Sequence, residues 1–388
     1  MRKKLCKVLL FMLGFMGLTT IHSPKVKAED WNQNYSVQTQ VRKGVFTFHV
    51  TPSEDEKKAW IHKIDIAPGI KKNAVLNIPE TINGMTVTKL GAEPDEEDPD
   101  MQSTLFGVGI ETYHEIDGST PRVNKIKTMT IPNSVKSITY YAFSGMDGLE
   151  KVILPESLKN LRYQVFYGCD NLKEVYLPAK MKKFSLYAFE ECNKIEKLSI
   201  SKKNKKFSVR KGKLLSQDKK KLIWILPTKT KVTITKKVEK INPFVLSRKK
   251  LENVDVAKGN QTFAKDGQCI YKKKDGRLAA VIVKNNKVKI SSKVKILPEG
   301  VSVVGKEIKR VDIPASVVKV IEDWMFFEDA KVYFHSKKPP VIVSEYDGQT
   351  FTALPIFNKV YVPKGTKKIY KQWAKDRDGL EWDYLRTF

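Results

Sequence analysis

Cys169 and Cys192 lie one 23-residue period apart, in VFYGCDNLKEVYLP and AFEECNKIEKLSIS. On successive rungs of a stacked chain their side chains would sit a few ångströms apart, so a disulfide is geometrically conceivable. A buried ladder of small apolar side chains is the preferred reading, because Met146 holds the same slot one period earlier and methionine fills gaps but cannot bridge. The acidic run Glu93, Asp95, Glu96, Glu97, Asp98 and Asp100 could hold a hard cation such as calcium. It lacks the spacing and the glycine of an EF-hand loop, so a solvated loop is expected. His49, His62, His114 and His335 show no metal-ligand spacing and no partner nucleophile motif. No G-x-S-x-G, P-loop or paired-carboxylate motif is present. The expectation is a protein that is not an enzyme and takes no cofactor or metal.

Binding chemistry is easier to read. In a short strand such as LKEVYLP (172–178), Leu172, Val175 and Leu177 point to a core while Glu174 and Tyr176 point out. The outward pairs, two per rung, are Thr128 and Thr130, Lys151 and Ile153, Glu174 and Tyr176, and Lys197 and Ser199. They continue as Asn253 and Asp255, Arg310 and Asp312, Lys331 and Tyr333, and Lys359 and Tyr361. Tyrosine and isoleucine beside lysine suit a protein or glycan partner, and the same pattern also fits an ordinary solvated sheet face. The candidate contacts are Lys151, Ile153, Glu174, Tyr176, Lys197, Arg310, Lys331, Tyr333, Lys359 and Tyr361. A second set is polyanion-directed: Lys202, Lys203, Lys205 and Lys206 in SKKNKK, and Lys272, Lys273 and Lys274 in YKKKDGR. Lysine-rich turns without interleaved aromatics argue for general polyanion contact rather than sequence-specific nucleic-acid reading.

The elements that must position these residues are repeats. Anchors recur every 23 residues at Ile131, Leu154, Leu177 and Ile200, at Phe143, Phe166 and Phe189, and at Met146, Cys169 and Cys192. Prolines 132, 155 and 178 end the strands because they have no N–H for the next ladder bond. A longer period of 56 pairs Ile200 with Val256, Asn204 with Asn260, Phe207 with Phe263 and Leu222 with Leu278. That unit reads as a coil with an inserted β-hairpin, turning at QDKK in one copy and KKDG in the other. A 23-residue unit cannot bury its apolar side alone, so stacked neighbours must bury one another.

IPNSVKSITYYAFSGM and LPESLKNLRYQVFYGC, with INGMTVTKLG before them and PP followed by VYVPKGTKKIYKQW after, resemble the BspA-type leucine-rich repeat family of bacterial surface proteins. The resemblance covers roughly residues 60–375. It implies a leucine-rich-repeat solenoid, β-rich with short helical turns, a right-handed curved stack of 23-residue coils with inserted hairpins. It also implies adhesion to host proteins, other cells or matrix through the concave sheet.

The chain opens with MRKKLCK, an eleven-residue apolar run and a small-residue exit at Ala28, the pattern of a secretory signal peptide. The apolar run is about half the length a spanning helix needs, and no later segment is long enough. Without that leader the chain keeps 65 basic against 43 acidic residues, a net of +22, which attracts polyanions and also serves solubility. The expected organisation is a leader over 1–28, a β cap over 29–75, a solenoid over 76–365 and a helical cap over 366–388. The solenoid carries an acidic insertion at 92–101 and hairpin-bearing coils at 198–253 and 254–309. The expected function is a secreted or surface-associated binding protein for a host or matrix protein. The alternative is electrostatic capture of teichoic acid or sulfated glycan.

Overall fold

The structure is a computed structural model that describes residues 39–91, 105–106, 120–242, 244–298, 300–321, 330–343, 359–378 and 385–388. The expected leader, the acidic run and His114 lie outside these residues.

Each coil contributes a short apolar–polar alternating strand to a front ladder of parallel rungs. A first stretch joins Ala74–Asn77, Ile126–Thr130, Lys151–Ile153, Glu174–Leu177 and Lys197–Ile200. A second joins Lys231–Ile234 to Asn253–Val256. A third joins Lys287–Lys289, Arg310–Ile313, Lys331–Phe334, Lys359–Val362 and Leu385–Thr387. Val152, Val175 and Leu198 are direct partners, so equivalent positions of successive repeats stack at about 4.8 Å per rung. A shorter back ladder pairs Leu90 with Ile138, Leu161 with Phe184, Leu222 with Ile241, Val281 with Val303, and Leu297 with Val320.

Between the ladders the chain turns tightly. The N–H groups of Val135, Leu158, Met181 and Val317 donate to the carbonyls of Pro132, Pro155, Pro178 and Pro314. These are short turns, each closed by a single i→i+3 hydrogen bond. Each reverses within too few residues to propagate i→i−4 bonds. Among the described residues the helices are Thr120–Val123 and Lys367–Asp378.

The core follows the anchors. Phe143, Phe166 and Phe189 stack with centroids 5.3 Å apart at each step and interplanar angles of 21° and 11°. Trp224 closes that column 6.1 Å from Phe189. Ile131, Leu154 and Leu177 are buried beside it.

The 56-residue units hold more than the expected hairpin. Phe207–Arg210, Lys213–Ser216 and Lys221–Ile225 form a three-stranded antiparallel meander, repeated by Phe263–Asp266, Cys269–Lys272 and Leu278–Ile282. Its first turn uses Lys211 and Gly212 at positive φ in one copy and Gly267 in the other. Asn204 and Asn260 anchor the two copies identically. Asn204 donates to the carbonyls of Pro178 and Met181 and accepts from the N–H groups of Lys206 and Phe207. Asn260 does the same with Thr235, Val238, Thr262 and Phe263.

At the N-terminal side, Thr39–Lys43, Phe46–Pro52 and Lys58–Ile66 run antiparallel, and Lys58–Ile66 pairs in parallel with Met85–Leu90. Leu105 is buried, donating to Ala142 and accepting from Ile64. At the other end the helix is followed by Leu385–Thr387, a final front rung that the sequence reading did not anticipate.

Candidate binding surface

The register turns the outward residues into two columns. On the first stretch Thr128, Lys151, Glu174 and Lys197 are partners, beside Thr130, Ile153, Tyr176 and Ser199. On the second, Lys231 meets Asn253 and Thr233 meets Asp255. On the third, Lys287, Arg310, Lys331 and Lys359 form one column and Lys289, Asp312, Tyr333, Tyr361 and Arg386 the other. Lys231, Thr233, Lys287, Lys289 and Arg386 were not among the outward pairs named from sequence.

The first stretch satisfies its own charges. Glu174 sits between Lys151 at 3.7 Å and Lys197 at 3.3 Å. Glu150 sits between Lys127 at 3.7 Å and Lys173 at 3.1 Å, and the Lys173 hydrogen bond holds its carboxyl below the ordinary range. Tyr176 donates its hydroxyl to Glu156 at 2.7 Å, and the other oxygen of Glu156 accepts from the Ala179 N–H. Val75, 49% exposed, and Ile153, 44% exposed, are the apolar side chains left outward there.

The third stretch is built differently. Arg310 forks onto Asp312 through Nε at 2.8 Å and Nη2 at 2.7 Å. Its guanidinium lies 3.8 Å from the Tyr333 ring centroid. Tyr333 stacks on Tyr361 at 4.3 Å and 6°. Phe388 stands edge-on to Tyr333 at 5.5 Å and to His335 at 5.1 Å, while His335 Nε2 lies 3.0 Å from Asp312. Burial works against the Asp312 charge, but hydrogen bonds from Arg310 and His335 outweigh it and hold the carboxyl below the usual range. The result is a pre-ordered plate of guanidinium and aromatic rings. Lys331 and Lys359 beside it are exposed and make no ion pair among the described residues. His335 and Phe388 were not picked out in sequence. His335 continues the alternation of Tyr333, and Phe388 depends on the unanticipated last rung.

The lysine tracts divide. Lys202, Lys203, Lys205 and Lys206 are exposed on the turn out of the front ladder. Lys274 is exposed and Lys272 half-buried, but Lys273 donates its ammonium to the Asn260 carbonyl.

The cysteine ladder is unbridged. Cys169, Cys192 and Cys269 are free and buried. Cys169 donates to the Phe143 carbonyl at 3.2 Å and Cys192 to that of Phe166 at 2.8 Å. Burial pushes the Cys169 thiol well up. Among the described residues no group of three or more His, Cys, Asp or Glu side chains could hold a metal, and no helix is long and apolar enough to cross a membrane.

Residues 120–210 match the model of the BspA type leucine rich repeat region, in six copies. No curated protein matches the chain. Among solved structures, the pneumococcal vaccine antigen PcpA is 16% identical, covering 90% of this chain and 97% of that one with a TM-score of 0.41. A leucine-rich repeat protein from Eubacterium ventriosum is 13% identical, covering 85% and 80%, with a TM-score of 0.38. One from Bacteroides ovatus is 16% identical, covering 90% and 97%, with a TM-score of 0.30.

Proposed function

We propose that this chain, a BspA-type leucine-rich repeat protein by its match over residues 120–210, is an exported binding protein that takes a protein partner on the third stretch of its front ladder. The observation that supports this is the plate of Arg310, Tyr333, Tyr361 and Phe388. Tyrosine and arginine are the side chains that most often dominate interface energetics, and stacking holds them in place before a partner arrives. The exposed Lys331 and Lys359 bias the partner toward an acidic surface. The neutralised first stretch, with Tyr176 tied to Glu156, is a flank rather than the centre of contact. Adhesion to a host or matrix protein, from a secreted or surface-held position, is the form of binding this reading favours. Catalysis has no place in it.

The test is binding of the chain to a panel of matrix proteins across a salt series. A specific partner should stay bound at high salt, and Tyr333→Ala should weaken it about thirtyfold, the effect of a roughly 2 kcal/mol anchor. Tyr176→Ala should change it less than threefold. Equal losses at the two tyrosines would move the contact off the third stretch.

A further inference from the structure

We propose that the edge between the two ladders is a second binding surface, separate from the front plate, and that it takes a linear polyanion lying along the stack. In four successive coils the residue after a buried turn anchor is lysine: Lys136 after Val135, Lys159 after Leu158, Lys182 after Met181 and Lys205 after Asn204. The anchors are tied rung to rung. Ser157 donates to the Val135 carbonyl, the N–H groups of Lys182 and Lys183 donate to Lys159, and Asn204 donates to Met181. At about 4.8 Å per rung, four ammonium-bearing side chains stand in line over about 14 Å. Lys183 and Lys206 form a parallel column beside them.

All six lysines are exposed, and none makes an ion pair among the described residues. In the same coils the front-ladder lysines, Lys127, Lys151, Lys173 and Lys197, each hold a glutamate. Glu156 is the acid in the turns of this edge, and its two oxygens are taken by the Tyr176 hydroxyl and the Ala179 N–H rather than by a lysine of the row. The row ends where Glu239 enters it and pairs with Lys220 at 2.9 Å.

Like charges held at rung spacing repel, and the backbone pairing of the Lys159 and Lys182 coils, with the Ser157 and Asn204 side-chain bonds on either side, prevents them from spreading. A chain with one oxyanion per unit can meet successive rungs, whereas a small anion meets one or two. No aromatic side chain interrupts the row, so nothing there reads bases. The shared ligand chemistry is a phosphodiester or sulfate polymer. Of the tracts singled out in sequence, Lys205 and Lys206 belong to this edge, and Lys273 is already committed to the Asn260 carbonyl.

The experiment measures affinity of the full chain for poly(glycerol phosphate) and for heparin between 50 and 200 mM salt. With about five oxyanion contacts, binding should fall roughly a hundredfold over that range. The triple variant Lys159→Gln, Lys182→Gln, Lys205→Gln should lower the slope of log affinity against log salt by about 2. The same three positions as arginine should retain the wild-type slope. The helix triple Lys367→Gln, Lys368→Gln, Lys371→Gln, on exposed positions away from both surfaces, removes the same net charge and should leave the slope unchanged. Equal losses in the two glutamine triples would overturn the proposal in favour of diffuse net charge, as would no binding of either polymer at 50 mM salt. Whichever polymer binds more tightly identifies the source.

Discussion

Arg248 stands 56 residues after Cys192, in the slot that Met146, Cys169 and Cys192 fill. The Leu251 N–H donates to the Arg248 carbonyl just as Leu149 and Leu172 donate to Met146 and Cys169. Its guanidinium lies 5.5 Å from the Trp224 ring centroid, with Nε and Nη2 buried and unpaired. Burial pushes its pKa down to about 10, against the pull of Glu190 and Tyr187. A buried charged group whose donors lack hydrogen-bond partners carries a desolvation cost that a well-packed apolar side chain avoids. Arg248→Met restores the ladder residue and should raise stability by about 1–3 kcal/mol in a denaturant titration. A loss of stability would mean that attraction to Glu190 outweighs the burial cost. Asp312 gives a pH prediction. Its folded pKa lies below 3.8, so its contribution is present above that value and is lost as pH falls through the folded pKa. The stability advantage of wild type over Asp312→Asn should therefore shrink below pH 3.8, with release of the Arg310 fork. Glu190 has the opposite sign: burial raises its pKa, so its ionisation costs stability as pH rises past 4.5. None of these partners is legible from spacing alone. Asp312 and Arg310 were named from alternation, but the fork between them and the ring beneath depend on side-chain direction across rungs.

At the scale of elements, the last rung is the informative case. Leu385–Thr387 covers the parallel edge of Lys359–Val362, and Phe388 reaches Tyr333 and His335. Deleting residues 385–388 exposes that edge, including the buried Val360 and Val362. An open strand edge recruits other chains. The truncated chain should self-associate in sedimentation and melt several degrees lower, whereas a monomer of unchanged midpoint would show that the helix Lys367–Asp378 caps the stack by itself. The front strands were legible because apolar side chains alternate and equivalent positions recur at the repeat period, with proline closing some of them. The first meander strand, Phe207–Arg210, was not, because only Phe207 is buried and the residues after it show no period-2 alternation.

At the scale of the whole molecule, stability is shared among neighbours. The buried residues fall into three clusters, one running from Phe46 to Leu226, one from Leu215 to Val304 and one from Cys269 to Leu385. A stack in which each coil touches only the next loses cooperativity with length. Unfolding followed by Trp224 and Trp373 fluorescence in single-tryptophan variants, one in the first cluster and one packed against the third, should give non-coincident denaturant midpoints. A single shared midpoint would show that the meanders couple the clusters into one unit.

The 23- and 56-residue periods determined the stack, its rungs and which side chains face outward, because a solenoid repeats one local geometry and a period-2 strand leaves its side chains no choice of face. They could not separate a front face that neutralises itself from one that stacks Arg310 on Tyr333 and Tyr361, nor reveal an edge of unpaired lysines. Those differences arise between rungs, from which residue of one repeat lands beside which residue of the next. Register, turn length and the inserted meanders decide that, and they exist only in the folded stack.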